Sequence, residues 1–213
     1  LQTAARDPNI SPYYRDICKV NIDSGTLTPL ATGNFEYIVR NKTCFTTANM
    51  PAIGLAHPNT NGVSLCGQYL VTTRSRVDTV PETVMIDRDG REIMTIEMAD
   101  VSGLPSDWHW PEPVKLKGAD NLTDIYGVVF RPPGFSLDQR YPVVEYASSS
   151  ATLSSLSQSP FINSPIVGEF FYNALSLSAL GFIVVMIEGR GTPYREKTFR
   201  DYNFGDLVFA DDF

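Results

Sequence analysis

The sequence predicts a fold of two grammars, short β-strands in the first half and alternating strand and helix in the second, with the change near residue 108. Three observations carry this expectation. As far as about Leu104, β-branched and aromatic residues recur in short runs broken by turn residues. Two tryptophans and two prolines, Trp108-His109-Trp110-Pro111-Glu112-Pro113, then interrupt the chain as a stiff connector. Beyond them a stretch with helical spacing, ended by Gly181, leads into a run of apolar residues only.

Taken in order, residues 16–22 alternate polar with apolar, and Asp23-Ser24-Gly25 follows as a turn. Residues 26–30, 35–39, 68–73 and 82–86 read as further strands. An Asp89-Gly90 pair between apolar strands, within residues 86–93, is a strong hairpin signal. No stretch of this half has a helical period, and short strands so spaced suit a sandwich, a barrel or propeller blades. In the second half, residues 125–130 form a strand broken by Arg131-Pro132-Pro133-Gly134, and residues 142–146 form another. Apolar residues at 170, 171, 174, 175, 177 and 180 predict a helix, with Gly181 as its stop. Residues 182–187 are then expected to be a central strand, parallel to its neighbour and covered on both faces. Strand, helix and apolar strand together are the grammar of an α/β sheet.

Composition narrows the function classes. Of 213 residues, 43% are hydrophobic and 19% charged, as in a soluble globular protein. A net charge of -7 without clustered Lys or Arg argues against nucleic acid as a partner. The longest apolar stretch, residues 175–187, is interrupted by Ser176, Ser178 and Gly181 and is too short to span a bilayer. The chain shows neither an initiator Met nor a charged-then-apolar leader, so periplasmic, secreted and cytoplasmic locations all stay open. Cys18, Cys44 and Cys66 fit no metal spacing and read as core thiols, with one disulfide as the alternative. No metal or cofactor is expected. Asn9-Ile10-Ser11, Asn41-Lys42-Thr43 and Asn121-Leu122-Thr123 match the glycosylation acceptor pattern, which has meaning only in a secreted eukaryotic protein.

Residues 120–135 (DNLTDIYGVVFRPPGF), Arg140-Tyr141-Pro142-Val143-Val144 and residues 180–191, in this order, resemble the prolyl oligopeptidase family of serine peptidases, in its dipeptidyl-peptidase-IV-like branch. The first segment resembles the entry to the family's hydrolase domain, and the second its "KYPV" strand. Residues 180–191 (LGFIVVMIEGRG) resemble its "GY-VV-DGRG" strand and turn, with Glu188 where the family has Asp. Phe204-Gly205-Asp206-Leu207 with Asp211-Asp212 resembles the start of its next helix. Upstream, residues 13–30 and 67–104 resemble the closing propeller blades, and Trp110-Pro111-Glu112-Pro113 stands where the chain re-enters the hydrolase domain. The resemblance implies that residues 1–107 are the C-terminal blades of a β-propeller. Residues 108–213 would then be the N-terminal half of an α/β-hydrolase domain, truncated before the nucleophile.

The same resemblance implies cleavage of oligopeptides through a Ser-Asp-His triad lying beyond this chain, with a homodimer as one allowed state. No G-x-S-x-G elbow occurs here, and Ser148-Ser149-Ser150 has no neighbouring glycine to allow one. No residue of this chain is therefore assigned as catalytic. His57 and His109 have no nucleophile-like neighbour and read as structural or exposed. The family's oxyanion Tyr would fall six residues after Pro142, on Ser148, whereas Tyr146 comes two residues early. Tyr146 and Ser148 are thus the candidate oxyanion donors, and Tyr146 is alternatively a strand residue packed on the sheet. Arg190, flanked by glycines, is expected to organise loops by bonding backbone carbonyls. The altered serine turn leaves a second hypothesis, a non-catalytic scaffold for binding or interaction. A third, a plain carboxylesterase-like hydrolase, does not need the β-rich first half.

Overall fold

A computed structural model describes residues 1–38, 62–146, 167–192 and 194–202. It is mostly β-sheet with few helices, and its strands form three sheets among the described residues. The first sheet holds β1 (Gln2–Thr3), β2 (Asp16–Val20) and β3 (Leu27–Ala31), all antiparallel. The second is an antiparallel meander of β4 (Glu36–Ile38), β5 (Tyr69–Arg76), β6 (Thr79–Asp87) and β7 (Glu92–Met98), paired in chain order. The third contains β8 (Glu112–Lys117), β9 (Asp124–Phe130), β10 (Val143–Glu145) and β11 (Ile183–Ile187), in the order β8-β9-β11-β10. Helix α1 (Val167–Ala179) lies between β10 and β11 in the chain, and one turn, α2 (Lys197–Arg200), follows β11.

Local chemistry accounts for the turns. Asn21 Oδ1 accepts from the N–H groups of Asp23 (3.0 Å) and Ser24 (2.9 Å), closing the β2–β3 turn where the sequence places it. At the β6–β7 hairpin, Asp87 Oδ1 accepts from Asp89 N–H and Arg91 N–H, both at 2.9 Å. Gly90 there has φ +89°, and a Cβ at this position would lie 2.6 Å from the Leu30 carbonyl oxygen. Only glycine meets both demands, so this hairpin can rest its tip on β3 of the first sheet.

The third sheet is mixed. β10 and β11 are parallel, while β9 runs antiparallel to both β11 and β8. Val184 lies opposite Phe130 and Met186 opposite Val128, so these four side chains share one face. Phe171 and Ala174 of α1 cover that face, with Phe130 and Phe171 edge to face at 5.6 Å. The helix stops as its sequence predicts, with Gly181 at φ +98° and its N–H on the Ser178 carbonyl at 2.9 Å. Tyr13 and Val77, from the first half of the chain, complete the same cluster. The apolar core therefore crosses the boundary that the sequence places between residues 107 and 108. Loop 99–111 joins the halves, and in it Trp108 and Trp110 pack edge to face at 6.0 Å.

One expectation is met in part among the described residues. β11 is interior and parallel to a neighbour, but among the described residues it is fully covered on one face only. Val184 and Met186 are buried, whereas Ile183, Val185 and Ile187 are half-buried. A continuous apolar run is ambiguous on this point, because it shows that both faces are hydrophobic and not what covers them. The asymmetry predicts unequal mutational costs. Met186→Ala should lower stability by ~2–5 kcal/mol, and Val143→Ala, at an exposed edge position, by less than ~0.5 kcal/mol. Chemical denaturation of both variants checks this.

Candidate functional site

Because β10 and β11 are parallel, their carboxyl ends lie on one edge of the third sheet, the edge where such sheets place ligands. The β8–β9 turn reaches the same edge, since β9 runs the other way. That turn is built on Asp120. Its Oδ1 accepts from Leu122 N–H (2.9 Å) and Thr123 N–H (2.8 Å), and its Oδ2 from the Thr123 hydroxyl at 2.6 Å. The Thr123 hydroxyl, with these amides and Arg190, holds the Asp120 carboxyl well below the ordinary carboxylate range. Arg190 Nη2 donates to Asp120 Oδ2 at 2.8 Å, and its guanidinium lies 4.3 Å from the Tyr202 ring. Arg190 thus ties the loop after β11 to the β8–β9 turn through a carboxylate, with its guanidinium over the Tyr202 ring.

Glu188, the residue after β11, is the centre of the edge. Its side chain is 0% exposed, and its backbone extends the ladder through Glu188 N–H on the Tyr126 carbonyl at 3.0 Å. Oε1 accepts from Tyr126 N–H at 2.8 Å and from Arg195 Nη1 at 2.7 Å. Oε2 accepts from the Thr192 hydroxyl at 3.3 Å. Burial pushes this carboxyl up to about 7, against the downward pull of Arg195, Tyr126 and Thr192. Arg195 also donates to the Asp124 carbonyl at 3.1 Å, and its guanidinium stacks over Phe199 (4.0 Å) and Tyr126 (5.4 Å).

Two contacts tie this loop to the first half of the chain. Tyr13 Oη lies 2.7 Å from Thr192 Oγ1. Arg15 lies over the Tyr194 ring at 5.6 Å while its guanidinium and backbone N–H bind the buried Glu36 of β4. Burial raises the Glu36 carboxyl, and Arg15 opposes the rise. Between the halves lies a cavity of about 170 Å³, with Tyr13, Tyr14, Arg76, Lys115, Tyr126 and Val128 among its walls. Burial pushes the Tyr14 hydroxyl up to about 12.

Of the two candidate oxyanion donors, Tyr146 directly follows β10 and Ser148 lies outside the described residues. Tyr146 is half-buried against the core cluster, and its hydroxyl accepts from Asn173 Nδ2 of α1 at 3.1 Å. His109 is exposed, and His57 and Cys44 lie outside the described residues. Cys18 is buried and takes a bond from Arg6 at 3.3 Å. Cys66 corrects the core-thiol expectation: it is exposed on the turn before β5, 3.3 Å from the Ser64 hydroxyl. A tight turn with Gly67 at φ +67° leaves the thiol no core to enter. Asn9 and Asn121 both lie on exposed turns, whereas Asn41 lies outside the described residues. Among the described residues no group of three His, Cys, Asp or Glu is placed to hold a metal ion, and no helix is long and apolar enough to cross a membrane.

No protein-family model matches the chain. Among solved structures, it is similar to a protein from Bacteroides ovatus described provisionally as a dipeptidyl aminopeptidase IV. The identity is 23% and the TM-score 0.49, over 67% of this chain and 19% of that one. The chain therefore spans about a fifth of that protein's length.

Sequence reasoning singled out Glu188 and Arg190 but missed Thr192, Arg195 and Tyr13. The spacing Glu188, Thr192, Arg195 just beyond a buried strand was an available signal; Tyr13, 179 residues from Thr192, gave none. The geometry predicts that Arg195→Ala, which strands a buried carboxylate, lowers stability by ~3–5 kcal/mol. Glu188→Gln should cost less, because an amide can still accept from Tyr126. Denaturation of the two variants at pH 8 measures the difference.

Proposed function

We propose that this chain is a segment of a serine peptidase of the prolyl oligopeptidase family, holding the last propeller blades (1–107) and the first half of an α/β-hydrolase domain (108–213). The reading is supported by the ordered motifs of the sequence. The observation that carries it is the parallel pair β10 and β11, with α1 between them in the chain, set beside antiparallel β9 and β8 and preceded by a four-stranded meander. A meander of this kind suits a propeller blade, and the crossover suits the start of a hydrolase sheet. The reaction is hydrolysis of oligopeptides by a Ser-Asp-His triad outside these residues. In it, a hydroxyl from Tyr146 or Ser148 meets the negative charge that develops on the scissile carbonyl.

One observation favours the second reading, a non-catalytic scaffold that binds peptides or proteins. The Tyr146 hydroxyl takes a hydrogen bond from Asn173 on the helix-covered face of the sheet. A phenol held there must move to serve a substrate.

Fluorophosphonate labelling of the protein that naturally carries this chain separates the two. The peptidase reading expects labelling on a serine that follows Asp212, and none on the 213-residue chain alone. It also expects Tyr146→Phe or Ser148→Ala to slow turnover of an oligopeptide by ~10²–10³-fold with much less change in KM. An unlabelled natural protein that still binds peptides would establish the scaffold reading instead.

A further inference from the structure

Where the two halves of the chain meet, the structure keeps a cavity of about 170 Å³. Protein interiors rarely keep a void much larger than one water molecule, and an empty one forfeits contacts along all its walls. The first half supplies Tyr13, Arg76 and Val77 to the walls, and the third sheet supplies Lys115, Tyr126 and Val128. Tyr13, Val77 and Val128 are buried, whereas Lys115 is exposed and the Arg76 side chain is 25% exposed. The cavity therefore has an apolar floor and a cationic rim. Such a division suits a ligand that is apolar at one end and anionic at the other.

Charge sets the polar end. Lys115 (2.8 Å) and Lys117 (2.6 Å) both bind the Asp124 carboxylate, whereas Arg76 pairs with Asp78 through Nε at 2.8 Å and Nη2 at 2.7 Å. Three cations thus meet two carboxylates, which leaves one positive charge over. The ion pairs behind the walls, Arg15 with Glu36 and Arg195 with Glu188, add none. Asp78 takes two of the five N–H donors of Arg76, and Asp124 takes one of the three on Lys115, so both cations can still donate to an anion. Size sets the apolar end. An apolar cavity of roughly 150 Å³ holds one benzene ring, so this one takes a single ring with its carboxyl group. Tyr13 and Tyr126, edge to face at 6.3 Å, offer a surface on which a third ring can pack.

We propose that this cavity is a binding site for a small aromatic carboxylate, its ring against Tyr13, Tyr126 and the two valines and its carboxylate on Lys115 and Arg76. The inference goes beyond the peptidase reading and does not rest on it. An occupant here touches both halves of the chain. It therefore ties the first half to the third sheet and stabilises the fold in proportion to its own occupancy.

Benzoate is the probe, with benzyl alcohol and benzylamine as neutral and cationic rings of similar size. Calorimetric titration of the full-length protein should give benzoate a Kd on the order of 1 mM, at least ~10-fold tighter than either control. Its melting temperature should rise with benzoate concentration. Lys115→Met leaves Asp124 its Lys117 partner, so this variant should fold, lose the preference for benzoate and lose the rise in melting temperature. In a crystal of the protein with para-bromobenzoate, the anomalous signal of bromine should fall inside the cavity. Equal affinity for the three rings, no binding at tens of millimolar benzoate, a preference that survives in Lys115→Met, or bromine found elsewhere would overturn the proposal.

Discussion

The buried carboxyl of Glu188 is the constraint on which the edge of the third sheet depends. One side chain accepts from the backbone of β9, from the guanidinium that precedes α2 and from the hydroxyl that meets Tyr13. Three elements are therefore positioned by one group, and none of them can move alone without leaving a polar atom unpaired in the interior. A buried ion pair is seldom a net source of stability, because desolvation offsets the attraction. Its value here is definition. Breaking it is costly, so the loop after β11 has one low-energy arrangement.

That arrangement couples polar and apolar contacts. Tyr13 packs its ring into the cluster around Phe130, Val184 and Met186 and turns edge-on to Tyr126 at 6.3 Å. Its hydroxyl meets Thr192 at the margin of the same cluster. Two residues on, Arg15 carries the buried Glu36 and lies over Tyr194. The first half of the chain thus grips the loop twice, once through a hydroxyl and once through a cation over a ring, and both grips lead to a buried carboxylate. Tyr13 and Tyr126 also wall the cavity between the halves.

What the sequence revealed follows from how local each signal is. The β6–β7 hairpin was legible because the Asp89-Gly90 pair marks a turn that is closed within five residues, from Asp87 to Arg91. The end of α1 was legible because Gly181 adopts a positive φ that few other residues tolerate. Strand β11 was legible as apolar, but the covering of its faces was not, because cover comes from α1, Tyr13 and Val77. Arg190 shows the same limit: its type suggested loop organisation, yet its partner Asp120 is 70 residues away. Glu188 read only as a conservative change in a turn, since its role depends on Tyr13 and Arg195, which no short-range pattern connects.

The central claim is that Glu188 and Tyr13, with no direct bond between them, act as one unit through Thr192. A double-mutant cycle on stability at pH 6, with Tyr13→Phe and Glu188→Gln alone and combined, tests it most directly. The account predicts a coupling of about 1 kcal/mol or more, the second substitution costing little once the first has broken the chain. Costs that add to within ~0.5 kcal/mol would contradict it and leave Tyr13 as a packing residue that happens to lie near Thr192.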